Sequence, residues 1–203
     1  MTSRATVFLV RHGRTPLNAA GVLRGRIDTP LDEVGRREAR RLAGVFDLAG
    51  LSAVVSSPLA RAAETAAAIA EAAGLPVDVD DDLADRDYGR WAGRSQADAE
   101  SEFGSLEAVP GIEALESFAQ RVTGAVARAA DRAASGAVVV VAHDAVNRQV
   151  LADLVPSLGP APDITQRTGC WTELRRDGDR WSAPVVDAVP ADGRRPLPRG
   201  RQR

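Results

Sequence analysis

Two histidines are the only imidazole groups in this chain of 203 residues, and each follows a short apolar run. His12 comes after Thr6–Val10, and His143 comes after Ala137–Ala142. Short β-branched runs that end at Gly or at polar residues predict buried strands. Because α/β proteins bind ligands at the carboxyl ends of their parallel strands, we expect both rings to face one crevice. An imidazole there could act as a nucleophile or carry a proton.

Arginine is the cation that accompanies the two rings, because the chain contains no lysine. Arg11 directly precedes His12, and Arg61 falls in the first turn of a predicted helix, whose N-terminus attracts anions. Gly13 is expected to let a bound oxyanion approach the backbone. Two guanidinium groups, two imidazoles and a helix N-terminus suit a tetrahedral phosphate dianion better than a planar carboxylate. The pattern therefore predicts a phosphate site.

The composition narrows the class of protein. A chain of this length with 44% hydrophobic residues suits one domain with one core, and a net charge of -2 does not favour a nucleic-acid partner. No apolar run reaches the roughly 18 residues that span a bilayer, and we interpret the start of the chain as a first strand and not a signal peptide. A single cysteine, Cys170, allows no internal disulfide. We therefore expect a cytoplasmic protein without a membrane partner.

Hydrophobic periodicity predicts helices that alternate with strands. Helices are predicted over residues 32–46, 57–73, 95–103, 112–134 and 145–154, and further strands over residues 51–56, 76–79, 170–174 and 181–186. This order predicts an α/β fold, a three-layer α/β/α sandwich with a largely parallel mixed sheet. We predict one domain over residues 1–189 and a disordered basic tail, rich in Pro, Gly and Arg, over residues 190–203.

Four sequence blocks lie between Val7 and Arg148. They read RHGRTPLNAAGVLRGRIDTPLDEVGRREA, SSPLARAAETA, LADRDYGRWAG and VVVVAHDAVNR. Together they resemble the motifs of the histidine phosphatase superfamily, in its phosphoglycerate mutase-like branch. The resemblance implies a phosphoglycerate mutase-like fold and a reaction that passes through a phosphohistidine.

The resemblance also implies a role for each matching residue. His12 would be the nucleophile, Arg11, Arg61 and His143 would complete the phosphate pocket, and Asn18 would touch the phosphate or the substrate. No metal or other cofactor is implied, and the acidic run at residues 80–82 lacks the ligand spacing of a calcium loop.

The proton donor departs from the family pattern. The third block has Asp85 where the family usually has Glu, and an Asp side chain is one methylene shorter. Asp144 is an alternative, because the pair His143-Asp144 resembles the way another branch of the superfamily supplies its proton. Asp87 is a more distant candidate, with a helix or turn cap as its other interpretation. We favour Asp85, because the other three blocks resemble the branch that uses the loop carboxylate.

Hydrolysis of a small phosphomonoester is the predicted function. Only about fifty residues separate Gly93 from His143, and mutases of the family carry a longer insertion there. Two alternatives stay open: a phosphoglycerate mutase-type isomerase primed by a bisphosphate, and a weakly catalytic phosphate-binding module. Tyr88 and Trp91 could line the substrate mouth or pack under the loop. The leaving group and the oligomeric state are open at this stage.

Overall fold

The structure is a computed structural model that describes residues 4–20, 22–46, 50–133 and 136–190. The predicted basic tail, except Pro190, lies outside the described residues. The described residues form one six-stranded sheet with strand order β3-β2-β4-β1-β5-β6. The strands are Arg4–Arg11 (β1), Leu51–Ser56 (β2), Val77–Val79 (β3), Ala137–Ala142 (β4), Trp171–Asp177 (β5) and Arg180–Ala188 (β6). Strands β1 to β4 are parallel to one another. Strand β5 pairs antiparallel with β1, and β6 pairs antiparallel with β5.

Strand β4 shows why the sheet is covered on both faces. Its four valines are all buried, and successive side chains of a strand point to opposite faces. Val138 and Val140 belong to one hydrophobic core, whereas Val139 and Val141 belong to another. A continuous apolar run is typical of a parallel strand with helices on both sides. The predicted three-layer α/β/α sandwich with a largely parallel mixed sheet is confirmed.

Six α-helices accompany the sheet in the described residues. They are Pro16–Ala20 (α1), Glu33–Ala43 (α2), Ala60–Ala73 (α3), Gln96–Phe103 (α4), Leu115–Asp131 (α5) and Asp144–Leu154 (α6). Helices α2 and α3 pack on the β-sheet face that holds Val139, and α5 and α6 pack on the opposite face. None of the helices in the described ranges is long and apolar enough to cross a bilayer.

Four helix boundaries differ from the prediction by three residues, and one short helix, α1, was not predicted. One of the four is the end of helix α5, at Asp131 instead of residue 134. Helix α2 ends at Ala43 instead of residue 46, because Gly44 caps it through its backbone N–H. Helix α3 begins at Ala60 instead of residue 57, since the Ser57 hydroxyl bonds to His143 and accepts from the backbone N–H of Leu59.

Helix α5 begins at Leu115 instead of residue 112, because the chain before it is bonded to another loop. The backbone N–H of Glu113 donates to the carbonyl oxygen of Asp87, and the Glu113 carbonyl accepts from the Arg86 guanidinium. These bonds hold Glu113 against the loop of Asp87, and the helix begins two residues later.

The loop after β1 depends on two glycines. A Cβ on Gly13 would lie 2.4 Å from the carbonyl oxygen of Gly35, and the backbone N–H of Gly13 donates to the Thr65 hydroxyl. Gly13 therefore serves the close contact with helix α2, and its expected role beside an oxyanion stays a prediction. The contact fixes the backbone that follows the first strand.

We predict that Gly35→Ala lowers the free energy of unfolding by about 1–3 kcal/mol, the usual cost of overpacking. The added Cβ would lie 2.1 Å from the carbonyl oxygen of Arg14. Gly44→Ala at the other end of α2 is the matched control, because a Cβ there meets no atom closer than 3.5 Å. Urea denaturation of both variants measures the difference. Equal losses of unfolding free energy in the two variants would contradict a tight contact between Gly35 and the carbonyl oxygen of Arg14.

Candidate active site

The two histidines lie side by side at the carboxyl ends of β1 and β4, which are neighbours in the sheet. The backbone N–H of His12 donates to the carbonyl oxygen of Ala142 over 3.0 Å, and the two ring centroids are 5.2 Å apart. Both side chains are fully buried. The structure thus brings His12 and His143 into one crevice, at the edge of the sheet expected from the sequence.

Hydrogen bonding defines the tautomer of His12. Its Nδ1 lies 2.6 Å from the carbonyl oxygen of Gly13, which can only accept, so Nδ1 carries the proton. Its Nε2 is buried and has no partner among the described residues. Burial, followed by the charges of Arg61 and Arg11, holds the pKa of His12 well below its usual value of 6.5. The ring is therefore neutral at pH 7, with a free lone pair on Nε2.

His143 has the opposite tautomer. Its Nδ1 accepts from the Nε of Arg61 over 3.2 Å, so the proton is on Nε2, which donates to the Ser57 hydroxyl over 2.7 Å. Burial and then the Arg61 charge lower the pKa of His143 well below 6.5. Ser57 was not predicted as a site residue, although it belongs to the second sequence block.

Arg61 links all four sequence blocks. It lies in the first turn of α3, as predicted, and only 1% of its side chain is exposed. Besides its bond to His143, it donates to the Asp85 carboxylate over 3.1 Å and to the carbonyl oxygens of Gly25 and Ile27 over 2.9 and 2.8 Å. A guanidinium has five donors in a fixed fork, which is why one side chain can hold these segments together.

Asp85 is the buried carboxylate of the site. One of its oxygens pairs with Arg61 and lies 4.0 Å from the Nδ1 of His143, and the other accepts from the backbone N–H of Arg86. Burial raises the pKa of Asp85 above its usual value, although the Arg61 charge opposes this shift. The structure therefore places the favoured carboxylate beside the phosphate-binding candidates.

The two other carboxylates have different surroundings. Asp144, the first residue of α6, is 27% exposed and pairs with Arg11 at 3.3 Å and Arg148 at 3.0 Å. Asp87 accepts from the backbone N–H of Gly89 and thus caps a turn. Asp144 lies at the site, whereas Asp87 has the cap role that was its other interpretation.

Three buried polar atoms of the predicted residues lack partners in the described part of the chain. They are the Nε of Arg11, the Nε2 of His12 and the Nδ2 of Asn18. The Oδ1 of Asn18 accepts from the backbone N–H and the hydroxyl of Thr15, which fixes the amide so that its NH2 group is the free donor. Buried polar groups are rarely left without hydrogen bonds, so these atoms indicate a place for a ligand.

A cavity of about 210 Å³ lies beside the two candidate carboxylates, Asp85 and Asp144. It is lined by Val22, Leu23, Arg24, Asp85, Tyr88, Gln96, Asp144 and Ala145. Tyr88 lines this cavity and also packs against the small hydrophobic cluster in which Trp91 is buried. Arg24 was not predicted, because one arginine among many is weak evidence. A larger cavity of about 570 Å³ lies near Arg4, at the opposite end of β1, and none of the predicted site residues lines it.

No group of three or more His, Cys, Asp or Glu side chains that could hold a metal occurs within the described ranges. Asp80 and Asp82 of the acidic run both pair with Arg128, at 3.0 and 2.7 Å.

Comparisons with known proteins identify the family of this chain. The sequence model of the histidine phosphatase superfamily (branch 1) matches residues 7–187. The chain is 32% identical over 178 residues to the uncharacterized phosphatase PhoE of Bacillus subtilis, with 86% of this chain and 90% of PhoE covered. The chain is also 45% identical over 94 residues to three mycobacterial relatives. It spans only 26% of the length of these relatives.

Solved structures show the same architecture. Mycobacterial glucosyl-3-phosphoglycerate phosphatase Rv2419c has a TM-score of 0.76 and 28% identity, with 92% of this chain and 100% of that chain covered. Phosphoglycerate mutase from Bacillus anthracis has a TM-score of 0.82 and 22% identity, with 92% of this chain and 94% of that chain covered. At this identity the similarity shows the fold alone. The phosphoglycerate mutase-like fold is confirmed. With a match that extends from β1 into β6, the chain belongs to branch 1 of the histidine phosphatase superfamily.

Proposed function

We propose that this protein is a phosphatase that hydrolyses a small phosphomonoester through a phosphohistidine on His12. The observation that carries the proposal is the buried, unpartnered Nε2 of a neutral His12. Two further unpartnered donors, the Nε of Arg11 and the Nδ2 of Asn18, are buried in the same site. A phosphoryl group between them would satisfy both donors and present its phosphorus to the lone pair.

In the first step, the Nε2 of His12 bonds to phosphorus as the ester oxygen leaves. The ring then gains positive charge, which the Gly13 carbonyl stabilises through the proton on Nδ1. Arg11 and Arg61 stabilise the charge on the phosphoryl oxygens, together with His143 and Asn18. Because phosphoryl transfer depends mainly on positioning and electrostatics, these fixed cations do most of the catalysis, and we propose that the reaction needs no metal.

Asp85 gives its proton to the leaving oxygen and, in the second step, accepts a proton from the water that attacks phosphohistidine. Burial already raises the pKa of Asp85, and the Arg61 charge opposes that shift. A phosphate dianion beside Arg61 would offset this opposing charge and make the protonated acid more stable. Asp144 is the alternative donor, but its pairs with Arg11 and Arg148 favour a positioning role.

The names of the relatives support the reaction class, since PhoE is called a phosphatase and Rv2419c a glucosyl-3-phosphoglycerate phosphatase. A small phosphate ester as the partner and a location in the cytoplasm are parts of the same proposal.

We predict that a rapid quench with ³²P-labelled substrate traps an acid-labile label on the peptide that contains His12. The chain offers a sharp control, because His143 is its only other histidine. His12→Ala should lose the label and roughly three or more orders of magnitude in kcat with p-nitrophenyl phosphate, as expected for a nucleophile. His143→Ala should turn over slowly and still carry the label on His12.

A label on His143, or full activity of His12→Ala, would contradict the proposed nucleophile. Product analysis completes the test. The alcohol and inorganic phosphate are the expected products, whereas an isomeric phosphate ester would point to a mutase and binding without turnover to a phosphate-binding module.

Substrates with different leaving groups distinguish Asp85 from Asp144 as the proton donor. We predict that Asp85→Asn lowers kcat/KM for an alkyl phosphate by about 10²–10⁴-fold, the usual contribution of a general acid. The loss should be much smaller for p-nitrophenyl phosphate, since p-nitrophenolate departs without a proton. Stopped-flow measurement of the first turnover separates this step from hydrolysis of the phosphoenzyme.

Asp144→Asn is the matched comparison. It should affect both substrates equally, mainly through KM, because it loosens Arg11. A leaving-group dependence in Asp144→Asn and none in Asp85→Asn would assign the proton to Asp144 instead.

A further inference from the structure

Arg24 is a cation of the site without a counterion. Its side chain is half-buried and its Nε is fully buried. Within the described ranges the guanidinium makes no hydrogen bond or ion pair. The other two arginines are paired, Arg11 with Asp144 and Arg61 with Asp85. A guanidinium removed from water costs free energy unless a partner replaces the lost hydration, so Arg24 calls for a ligand.

The backbone that carries Arg24 is built into the phosphate site. Arg24 opens a turn in which its carbonyl oxygen accepts from the N–H of Ile27, and Arg61 donates to the carbonyl oxygens of Gly25 and Ile27. Gly25 has φ +49°, and a Cβ there would lie 2.8 Å from the carbonyl oxygen of Arg86. The turn is therefore held between Arg61 and the loop of Asp85, and the base of Arg24 is fixed relative to both.

The proposed role of Asp85 places the leaving group toward the cavity beside Arg24. Asp85, the proposed donor to the leaving oxygen, lines this cavity together with Arg24, Tyr88 and Gln96. After burial and the charges of Arg61 and Arg11, the charge of Arg24 also contributes to lowering the pKa of His12. Because Arg24 and Asp85 line the same cavity, a group attached to the leaving oxygen that Asp85 protonates can reach Arg24.

We propose that Arg24 binds a second anionic group on the leaving group of the substrate, a singly charged group such as a carboxylate. This inference rests on the proposed function, because it assigns the leaving group of that reaction. A carboxylate accepts two parallel hydrogen bonds from a guanidinium. A second phosphate fits less well, because Asp85 and Asp144 line the same cavity and would repel a dianion more strongly.

The test uses non-hydrolysable phosphonates, so that it does not depend on turnover. Isothermal titration calorimetry compares the affinities of 3-phosphonopropanoate and n-propylphosphonate, in which a methyl group replaces the carboxylate. The comparison is repeated with two further pairs of phosphonates, whose carbon chain is one atom shorter or one atom longer. The wild-type protein should bind at least one carboxylated member about ten- to a hundredfold more tightly, the effect of one hydrogen-bonded charge pair. Arg24→Met should remove this preference, and Arg24→Lys should keep part of it.

Arg26→Met is the matched control, because Arg26 is exposed, lies outside the cavity lining and only approaches Asp87 at 3.7 Å. It should retain the wild-type preference. Equal affinities within every pair, no binding of any phosphonate, or a preference that survives in Arg24→Met would overturn the proposal. An equal loss for both members of a pair in Arg24→Met would also overturn it, since Arg24 would then bind the phosphoryl group itself. The label on His12 tests the proposed function separately.

Discussion

The site depends on keeping one buried imidazole neutral with its lone pair on a chosen nitrogen. In His12 the Gly13 carbonyl holds the proton on Nδ1, while burial and two arginines keep a second proton off Nε2. The same arginines that would bind a phosphate therefore also preserve the nucleophile before the phosphate arrives. This arrangement leaves donors of Arg11 and Asn18 buried without partners among the residues that the structure describes, a cost that a bound anion would remove.

The fold supplies this environment by bringing distant segments to one edge of a parallel sheet. Strands β1 and β4 place the histidines next to each other, and the contact of Gly13 with Gly35 sets the path of the chain after β1. Arg61 then connects helix α3, in whose first turn it lies, to the loop of Asp85 and to His143. Loss of this one side chain would release several parts of the site at once, so its positioning and electrostatic effects are coupled.

Sequence reasoning predicted the parts that depend on local patterns. Strands over residues 51–56 and 137–142 agree with the structure residue for residue, because a buried β-branched run has clear ends. Helix starts were less predictable: the first turns expected before α3 and α5 are taken up by tertiary hydrogen bonds of Ser57 and Glu113, which leave no periodic signal. For the same reason Arg24 could not be distinguished among many arginines, since its lack of a counterion exists only in three dimensions.

Nitrogen-15 NMR of the two histidine side chains tests the central claim most directly, with His12→Gln to assign the signals. We predict that between pH 5 and 8 the ring of His12 carries its proton on Nδ1, keeps Nε2 unprotonated and shows no titration near 6.5, because burial and the neighbouring arginine charges lower its pKa. A His12 ring that titrates near pH 6.5, or one that carries its single proton on Nε2, would contradict the account.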